Sequence, residues 1–159
     1  MSFKTKGYET VSQVVSEEMS TFLFNYLILK RRAVKYMIDT KYLPPNKMGT
    51  HTYGDWYSDP QALDTYSVYG DAAIETLLMK LLPLVENKTK LTLIPCYGYG
   101  RIYKKGDVLS RHRDRVSCEI SLTLFIGGDP WIIYLDPTGK RNQKGVPINL
   151  KIGEMLLFR

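Results

Sequence analysis

Residues 101–128, RIYKKGDVLSRHRDRVSCEISLTLFIGG, decide the fold of this chain. In the last third of this stretch, aliphatic residues alternate with Ser121, Thr123 and Phe125. A period of two is typical of a β-strand with one aliphatic face and one mixed face. We therefore predict a strand at Cys118–Ile126.

Short apolar runs bounded by turn residues continue on both sides of this strand. Glycine, proline and aspartate interrupt the sequence at short intervals after Lys90, as in Gly106-Asp107 and Gly127-Gly128-Asp129-Pro130. Many short strands separated by such turns favour antiparallel pairing. The further predicted strands are Leu91–Pro95, Tyr97–Tyr103, Trp131–Asp136, Val146–Leu150 and Glu154–Phe158.

The first half of the chain has the spacing of helices. Apolar residues recur every three or four positions over Phe22–Ile38, which predicts a helix with Ser16 or Ser20 as its N-cap. A second apolar stripe follows Asp71, a plausible N-cap, and Pro83 should kink or restart that helix.

A long segment without a sustained period, residues 46–70, separates the two predicted helices. It is rich in Gly, Tyr, Ser, Thr and Asp, which predicts a loop with at most a short strand or helical turn. His51, Tyr53, Trp56 and Tyr57 lie in it. Two interpretations stay open, a substrate lid and a loop packed down by its own aromatic residues.

Helices followed by many short antiparallel strands indicate an α+β protein built on a sandwich or jelly roll, with the helices packed against it. A length of 159 residues fits one domain, residues 1–159. Its helical part covers about residues 1–90 and its strand part about residues 91–159. With 24% charged and 12% aromatic residues, the composition is not that of a disordered chain.

Charge and cysteine content narrow the classes of function. The formal charge is +6, but no run of five or six basic residues occurs, and Lys30-Arg31-Arg32 comes closest. A solvated basic surface is favoured over nucleic-acid binding. Cys96 and Cys118 show no zinc-site spacing and are expected to be buried free thiols. Without a signal peptide or an apolar span, we expect a cytoplasmic protein that does not enter the membrane.

The chemically most suggestive residues are His112-Arg113-Asp114. Alternation along an extended segment would point the imidazole and the carboxylate to the same side, which is suitable for a metal ion. Alone the tripeptide is a weak signal, because an Asp beside an Arg is more often a solvated ion pair. A kinase catalytic loop is excluded, since it requires Asn where this chain has Glu119.

The context strengthens the metal interpretation. Residues 101–128 resemble the ligand-bearing region of the prolyl-hydroxylase-like branch of the Fe(II)- and 2-oxoglutarate-dependent dioxygenases. In that branch a strand carrying a tyrosine runs into a Gly turn, then H-x-D, then a strand of alternating residues. The similarity extends weakly over Leu91–Arg159, and the N-terminal half is similar to small phage and marine-bacterial members.

This resemblance implies a role for several residues. His112 and Asp114 would be two of three iron ligands, and Tyr103 would hydrogen-bond 2-oxoglutarate. Arg101 shares the face of Tyr103 by alternation, and Thr123 lies on the mixed face of its strand, so both are candidates for the same co-substrate pocket. The implied fold is a double-stranded β-helix. The implied activity is hydroxylation with O2, Fe(II) and 2-oxoglutarate as cofactors, and ascorbate is a further candidate.

The sequence also departs from the family pattern. A second histidine should follow the strand that Met155–Phe158 resembles, and after it an Arg or Lys that pairs with the far carboxylate of 2-oxoglutarate. The sequence ends at Arg159 before either, and His51 lies upstream in a loop. We therefore expect the oxygenase domain to be incomplete at its C-terminus.

The sequence is compatible with three functions. The first is an oxygenase acting on an unidentified protein or small molecule. The second is a non-catalytic jelly-roll binding module with an incomplete metal site, motivated by the absent second histidine. The third, nucleic-acid binding, rests only on the positive charge and scattered aromatic residues, and we do not favour it.

Overall fold

The computed structural model describes residues 3–43, 53–140 and 143–159, and within these ranges it has three helices and seven antiparallel strands. The mixed helix and sheet content that the sequence predicts is confirmed. The helices are α1 (Phe3–Lys6), α2 (Glu17–Asp39) and α3 (Ala72–Thr89). The strands are β1 (Tyr8–Val11), β2 (Tyr66–Tyr69), β3 (Tyr99–Ile102), β4 (Ser121–Leu124), β5 (Ile133–Leu135), β6 (Val146–Ile148) and β7 (Met155–Phe158).

The chain divides into two compact units. Unit 1 comprises Met1–Phe24, Pro83–Leu93 and Asp114–Arg159, and unit 2 comprises Asn25–Leu82 and Ile94–Arg113.

Unit 1 contains the three-stranded sheet β1-β7-β4. Strand β7 pairs with β1 from Tyr8 opposite Phe158, and with β4 from Ser121 opposite Phe158. Met155, Leu156 and Leu157 are at most 1% exposed, because the strand is covered along both edges and on both faces. A second pair, β5 with β6, also belongs to this unit.

The turn that leads into β7 depends on a glycine. Gly153 has φ of +80°, and a Cβ at this position would lie 2.8 Å from the carbonyl oxygen of Val15. The Glu154 amide donates to the carbonyl of Lys151, which closes the turn at 2.9 Å. The turn predicted from Lys151-Ile152-Gly153 is therefore present, and only glycine fits its last position.

Unit 2 contains the antiparallel pair of β2 with β3, in which Val68 lies opposite Gly100. A Cβ on Gly100 would lie 3.1 Å from Val68 and 3.6 Å from Leu27. Leu27, Val34, Tyr66 and Val68 are all buried, so this face of the strand pair belongs to the core of the unit.

Both long helices begin where the sequence predicts. The Ser16 hydroxyl accepts a hydrogen bond from the Met19 amide at 3.1 Å, so Ser16 is the N-cap of α2, while Ser20 is buried inside the helix. Asp71 caps α3, because its Oδ1 accepts the amides of Ala73 and Ile74 at 2.9 and 3.2 Å.

Some predicted boundaries are wrong. The helix does not restart at Pro83, which lies inside the continuous α3. No strand forms at Leu91–Pro95, where the Leu93 amide donates to the side chain of Glu86 at 2.9 Å instead of to a neighbouring strand. Strand β1 and helix α1 were not predicted, because each is an isolated four-residue segment too short to show a period, whereas β2 is the short strand that the sequence allowed within residues 46–70. The other predicted strands are present with narrower bounds.

The predicted burial of the cysteines is also wrong. Both side chains are thiols and not disulfides, but Cys96 is exposed and Cys118 is half-buried. Within the described ranges, no helix combines the length and apolar character needed to cross a membrane.

We expect the Asp71 cap to carry much of the stability of unit 2. Its Oδ2 accepts the Tyr26 hydroxyl at 2.6 Å and forms an ion pair with Lys30, and the side chain is 1% exposed. Asp71→Ala removes the cap and leaves the Lys30 ammonium without its partner, so the free energy of unfolding should fall by about 3 kcal/mol in urea titrations.

The matched control is Asp39→Ala. Asp39 forms an exposed ion pair with Lys35 on the same helix that carries Lys30, and its loss should cost about 0.5 kcal/mol or less. Equal losses in the two variants would contradict the assigned role of Asp71.

Candidate functional site

The predicted co-substrate residues Arg101 and Tyr103 lie together in unit 2. Arg101 is on β3, Tyr103 directly follows that strand, and the Arg101 Nη1 lies 3.5 Å from the Tyr103 hydroxyl. Tyr99 shares their face, since the guanidinium carbon of Arg101 is 4.8 Å from the centre of the Tyr99 ring. The alternation expected from the sequence is therefore present along β3.

Arg101 has further partners that the sequence does not reveal. Its Nε donates to Oδ2 of Asp59 at 2.6 Å, and its Nη2 donates to Oε1 of Gln61 at 2.7 Å. The Tyr99 hydroxyl donates to the same Asp59 oxygen at 3.2 Å, and the Asp59 side chain is 4% exposed. The result is a buried ion pair held within a hydrogen-bonded network.

The loop around Asp59 shapes this network. The Gln61 amide donates to Oδ1 of Asp59 at 3.0 Å, so an Asx turn fixes the carboxylate, and Pro60 stands between the two. The Ser110 amide donates to the carbonyl of Gln61 at 2.9 Å. An Asp-Pro turn is the signal that could have pointed to Asp59, although several acidic residues in that loop were equal candidates.

The protonation states follow from burial and charge. Burial alone would raise the pKa of Asp59, but the hydrogen bonds from Arg101, the Gln61 amide and Tyr99 outweigh it and hold that pKa below its ordinary value. Burial raises the pKa of Tyr99 and of Tyr103. At neutral pH the site therefore contains a charged Asp59–Arg101 pair and two protonated phenols.

This arrangement makes Tyr103 suitable for binding an oxyanion. Its oxygen accepts from the Arg101 guanidinium, and a protonated phenol also carries an O–H donor. The charge of Arg101 is already balanced by Asp59. Arg101 therefore acts on the phenol mainly by orienting it.

The predicted iron ligands lie on an exposed segment. The residues from Val108 to Asp114 have no regular secondary structure, and His112 and Asp114 are both exposed. The Nδ1 of His112 lies 2.7 Å from the carbonyl oxygen of Ser110, which can only accept, so Nδ1 carries the proton. In the neutral imidazole, Nε2 is then the unprotonated nitrogen.

The ligand set is not complete in the part of the chain that is described. Those residues contain no group of three or more His, Cys, Asp or Glu side chains that could hold a metal ion. His112 belongs to unit 2 and Asp114 to unit 1. His51 lies outside the described residues. The donor types of His112 and Asp114 suit Fe(II), and they supply two ligands of the three that a facial triad needs.

Thr123, the third residue predicted for 2-oxoglutarate, is on β4 in unit 1, where it lies opposite Leu156 of β7. All four residues of β4 are half-buried, so its two faces differ less in exposure than the alternation predicts.

The aromatic loop before β2, which carries Tyr53, Trp56 and Tyr57, is only partly packed against neighbouring residues. The Trp56 ring centre lies 4.9 Å from that of the buried Tyr66, whereas Tyr57 is exposed. The Asp55 carboxylate accepts the amides of Tyr57 and Ser58, both at 2.8 Å. For Trp56, these contacts favour the packed loop over the substrate lid.

Comparisons with protein-family models, with curated proteins and with solved structures found no match to this chain.

The Asp59–Arg101 pair should make the free energy of unfolding depend on pH in the acidic range. Because the pKa of Asp59 is lowered in the folded state, its contribution is present above the unfolded pKa of about 3.9 and is lost as the pH falls through the folded pKa. Asp59→Asn should lower the free energy of unfolding by about 2 kcal/mol near neutral pH. Below about pH 4, the free energy of unfolding of this variant should fall less steeply with pH than that of the wild type.

Urea unfolding across this pH range measures both effects. Asp129→Asn, at an exposed turn position, is the control and should reproduce the wild-type acid dependence. An acid dependence of Asp59→Asn as steep as that of the wild type would rule out this contribution.

Proposed function

We propose that this chain is an Fe(II)- and 2-oxoglutarate-dependent oxygenase domain, a hydroxylase of unidentified substrate. The observation that carries the proposal is the ordered series Tyr103, His112 and Asp114, followed by the strand β4. Support also comes from the Tyr103 phenol beside Arg101 and from the Nδ1–H of His112 bound to a backbone carbonyl. Metal-binding histidines commonly make the latter bond.

Each residue has a separate role in the proposed site. His112 and Asp114 bind Fe(II) through Nε2 and a carboxylate oxygen, and a third ligand comes from outside the described residues. Tyr103 donates a hydrogen bond to 2-oxoglutarate, Arg101 orients Tyr103, and Asp59 balances the charge of Arg101. The bound iron and 2-oxoglutarate supply the oxidising chemistry with O2. The roles of Asp114 and of Thr123 rest on the sequence pattern.

The finer fold class in this proposal is a double-stranded β-helix, or jelly roll. It is supported by the antiparallel pairing of all described strands and by the order β1-β7-β4, in which a strand from the start of the chain pairs beside one from its end. Connections between strands distant in sequence are usual in jelly rolls.

Iron binding tests the ligand assignment directly. Under anaerobic conditions with 2-oxoglutarate, Fe(II) titration of the protein in its full gene-encoded length should produce the visible charge-transfer absorption of the ternary complex. His112→Ala and Asp114→Asn should each weaken Fe(II) binding by more than about tenfold, because each removes one of three ligands. His51→Ala and Asp129→Asn are the matched controls and should bind Fe(II) as the wild type does.

The outcome separates the two remaining functions. Succinate release that requires His112, even without a coupled substrate, is expected for the oxygenase. Weak Fe(II) binding that is the same in the wild type and in His112→Ala, with no succinate release, would refute the oxygenase and favour the non-catalytic jelly-roll binding module.

Tyr103 provides a second test through the co-substrate. Tyr103→Phe removes one hydrogen bond of about 1 kcal/mol, so the KM for 2-oxoglutarate should rise about fivefold while the Fe(II) affinity stays unchanged. Tyr97→Phe is the control, since Tyr97 packs against the ring of Tyr69, with ring centres 5.0 Å apart. An unchanged KM for 2-oxoglutarate in Tyr103→Phe would show that the Tyr103 hydroxyl does not bind 2-oxoglutarate.

A further inference from the structure

Helix α2 has apolar side chains on two faces, and only one of these faces is buried. The buried face belongs to the core and is formed by Leu23, Leu27 and Val34. On the other face the large apolar side chains are exposed, to 64% for Phe22, 68% for Leu29 and 71% for Tyr36. A helix at a protein surface normally has polar residues on its outer face, so this second apolar face requires an explanation.

The apolar residues of the outer face form one stripe, which we call the outer stripe. Its members are separated alternately by three and four positions, and they are Met19, Phe22, Tyr26, Leu29, Ala33 and Tyr36. All of them are exposed except Tyr26, which is half-buried. This is the spacing of a coiled-coil seam, and at 1.5 Å per residue the stripe is about 26 Å long. Exposed apolar patches bordered by polar residues mark interaction sites.

The outer stripe is complementary to a second copy of itself that runs in the opposite direction. A two-fold axis through the middle of the stripe pairs Phe22 with Ala33 of the second copy, and Tyr26 with its Leu29. Each pair then occurs twice, as a closed two-fold interface requires. The large Phe22 ring faces the small Ala33 methyl group, and this alternation of sizes allows two helices to pack closely.

The charges of α2 favour the same antiparallel direction. Its first turn is acidic and contains Glu17 and Glu18. Its basic residues all lie in the second half and are Lys30, Arg31, Arg32 and Lys35. An antiparallel copy brings the acidic start of each helix beside the basic half of the other, whereas a parallel copy would bring like charges together.

Arg32 is the basic residue best suited to meet the acidic turn of the second copy. Lys30 is paired with Asp71, and Lys35 is paired with Asp39 at 2.9 Å. Arg32 is exposed, borders the outer stripe on the same side as Glu18, and has a long side chain that can extend along the helix.

We propose that the outer stripe of α2 is the interface of a two-fold symmetric dimer of this chain, in which two copies of α2 pack antiparallel. A single pair of helices makes a small interface, so this dimer should be reversible and should dissociate on dilution. It requires neither iron nor 2-oxoglutarate and is therefore independent of the proposed oxygenase activity.

Sedimentation equilibrium tests the proposal on the protein in its full gene-encoded length, with a chelator present. Over about a hundredfold range of protein concentration, the wild type should change from monomer to dimer. Leu29→Glu places a carboxylate in the middle of the apolar interface, and should raise the dissociation constant of the dimer by more than about tenfold. Met79→Glu is the matched control, because Met79 is an exposed apolar residue of α3, and this variant should dimerise as the wild type does.

Exchanging charges tests the antiparallel direction. Glu18→Lys brings two cations together, and Arg32→Glu brings two carboxylates together, so each should raise the dissociation constant by about threefold or more at low salt. The double variant Glu18→Lys/Arg32→Glu restores opposite charges and should regain most of the lost affinity. Equal affinities in the wild type and both single variants would contradict the antiparallel arrangement.

Two further results would overturn the dimer itself. They are a wild type that stays monomeric at every concentration, and dimerisation of Leu29→Glu as strong as that of the wild type. If Leu29→Glu does not fold, Leu29→Ala removes apolar contact without adding a charge and should weaken the dimer in the same direction. Because the measurement excludes iron, its failure leaves the oxygenase proposal to its own test, and the reverse also holds.

Discussion

Strand β7 is the element on which the architecture of unit 1 depends, because it is hydrogen-bonded along both edges. Its pairing with β1 and β4 satisfies the backbone of three strands, and its Met155, Leu156 and Leu157 side chains lie in the core. Burying each such side chain contributes about 1.5–3 kcal/mol. The same strand follows the Gly153 turn, so one backbone conformation determines where it begins.

In unit 2 the comparable constraint is the cost of placing an arginine on a half-buried strand. Arg101 needs an anion close by, and Asp59 meets this need from a loop whose Asx turn is closed by Gln61. The pair then holds Tyr99 and Tyr103 around it as protonated phenols. A polar face on β3 is therefore built and neutralised within the protein.

The sequence predicted elements whose signals are local. The stripe of α2, the caps Ser16 and Asp71, and the strand β4 each follow from a short window of sequence, and each is present, although the two faces of β4 are both half-buried. The sequence did not predict Asp59 as the partner of Arg101, because a contact between a loop and a distant strand leaves no periodic trace. Strand β1 was missed for a different reason, because its four residues stand alone, whereas β4 lies within the longer alternating run Cys118–Ile126. The H-x-D pattern is visible in the sequence, and its role as a pair of iron ligands stays a prediction.

The order β1-β7-β4 has a consequence for how unit 1 acquires its structure. Strand β1 ends at Val11 and its partner β7 begins at Met155. All the residues between them must therefore be synthesised before the central strand β7 exists. Contacts between such distant residues close large loops, which slows folding. Until then β1 and β4 present unpaired edges that can associate with other chains. Folding of this unit is thus expected to be late, slow and sensitive to protein concentration.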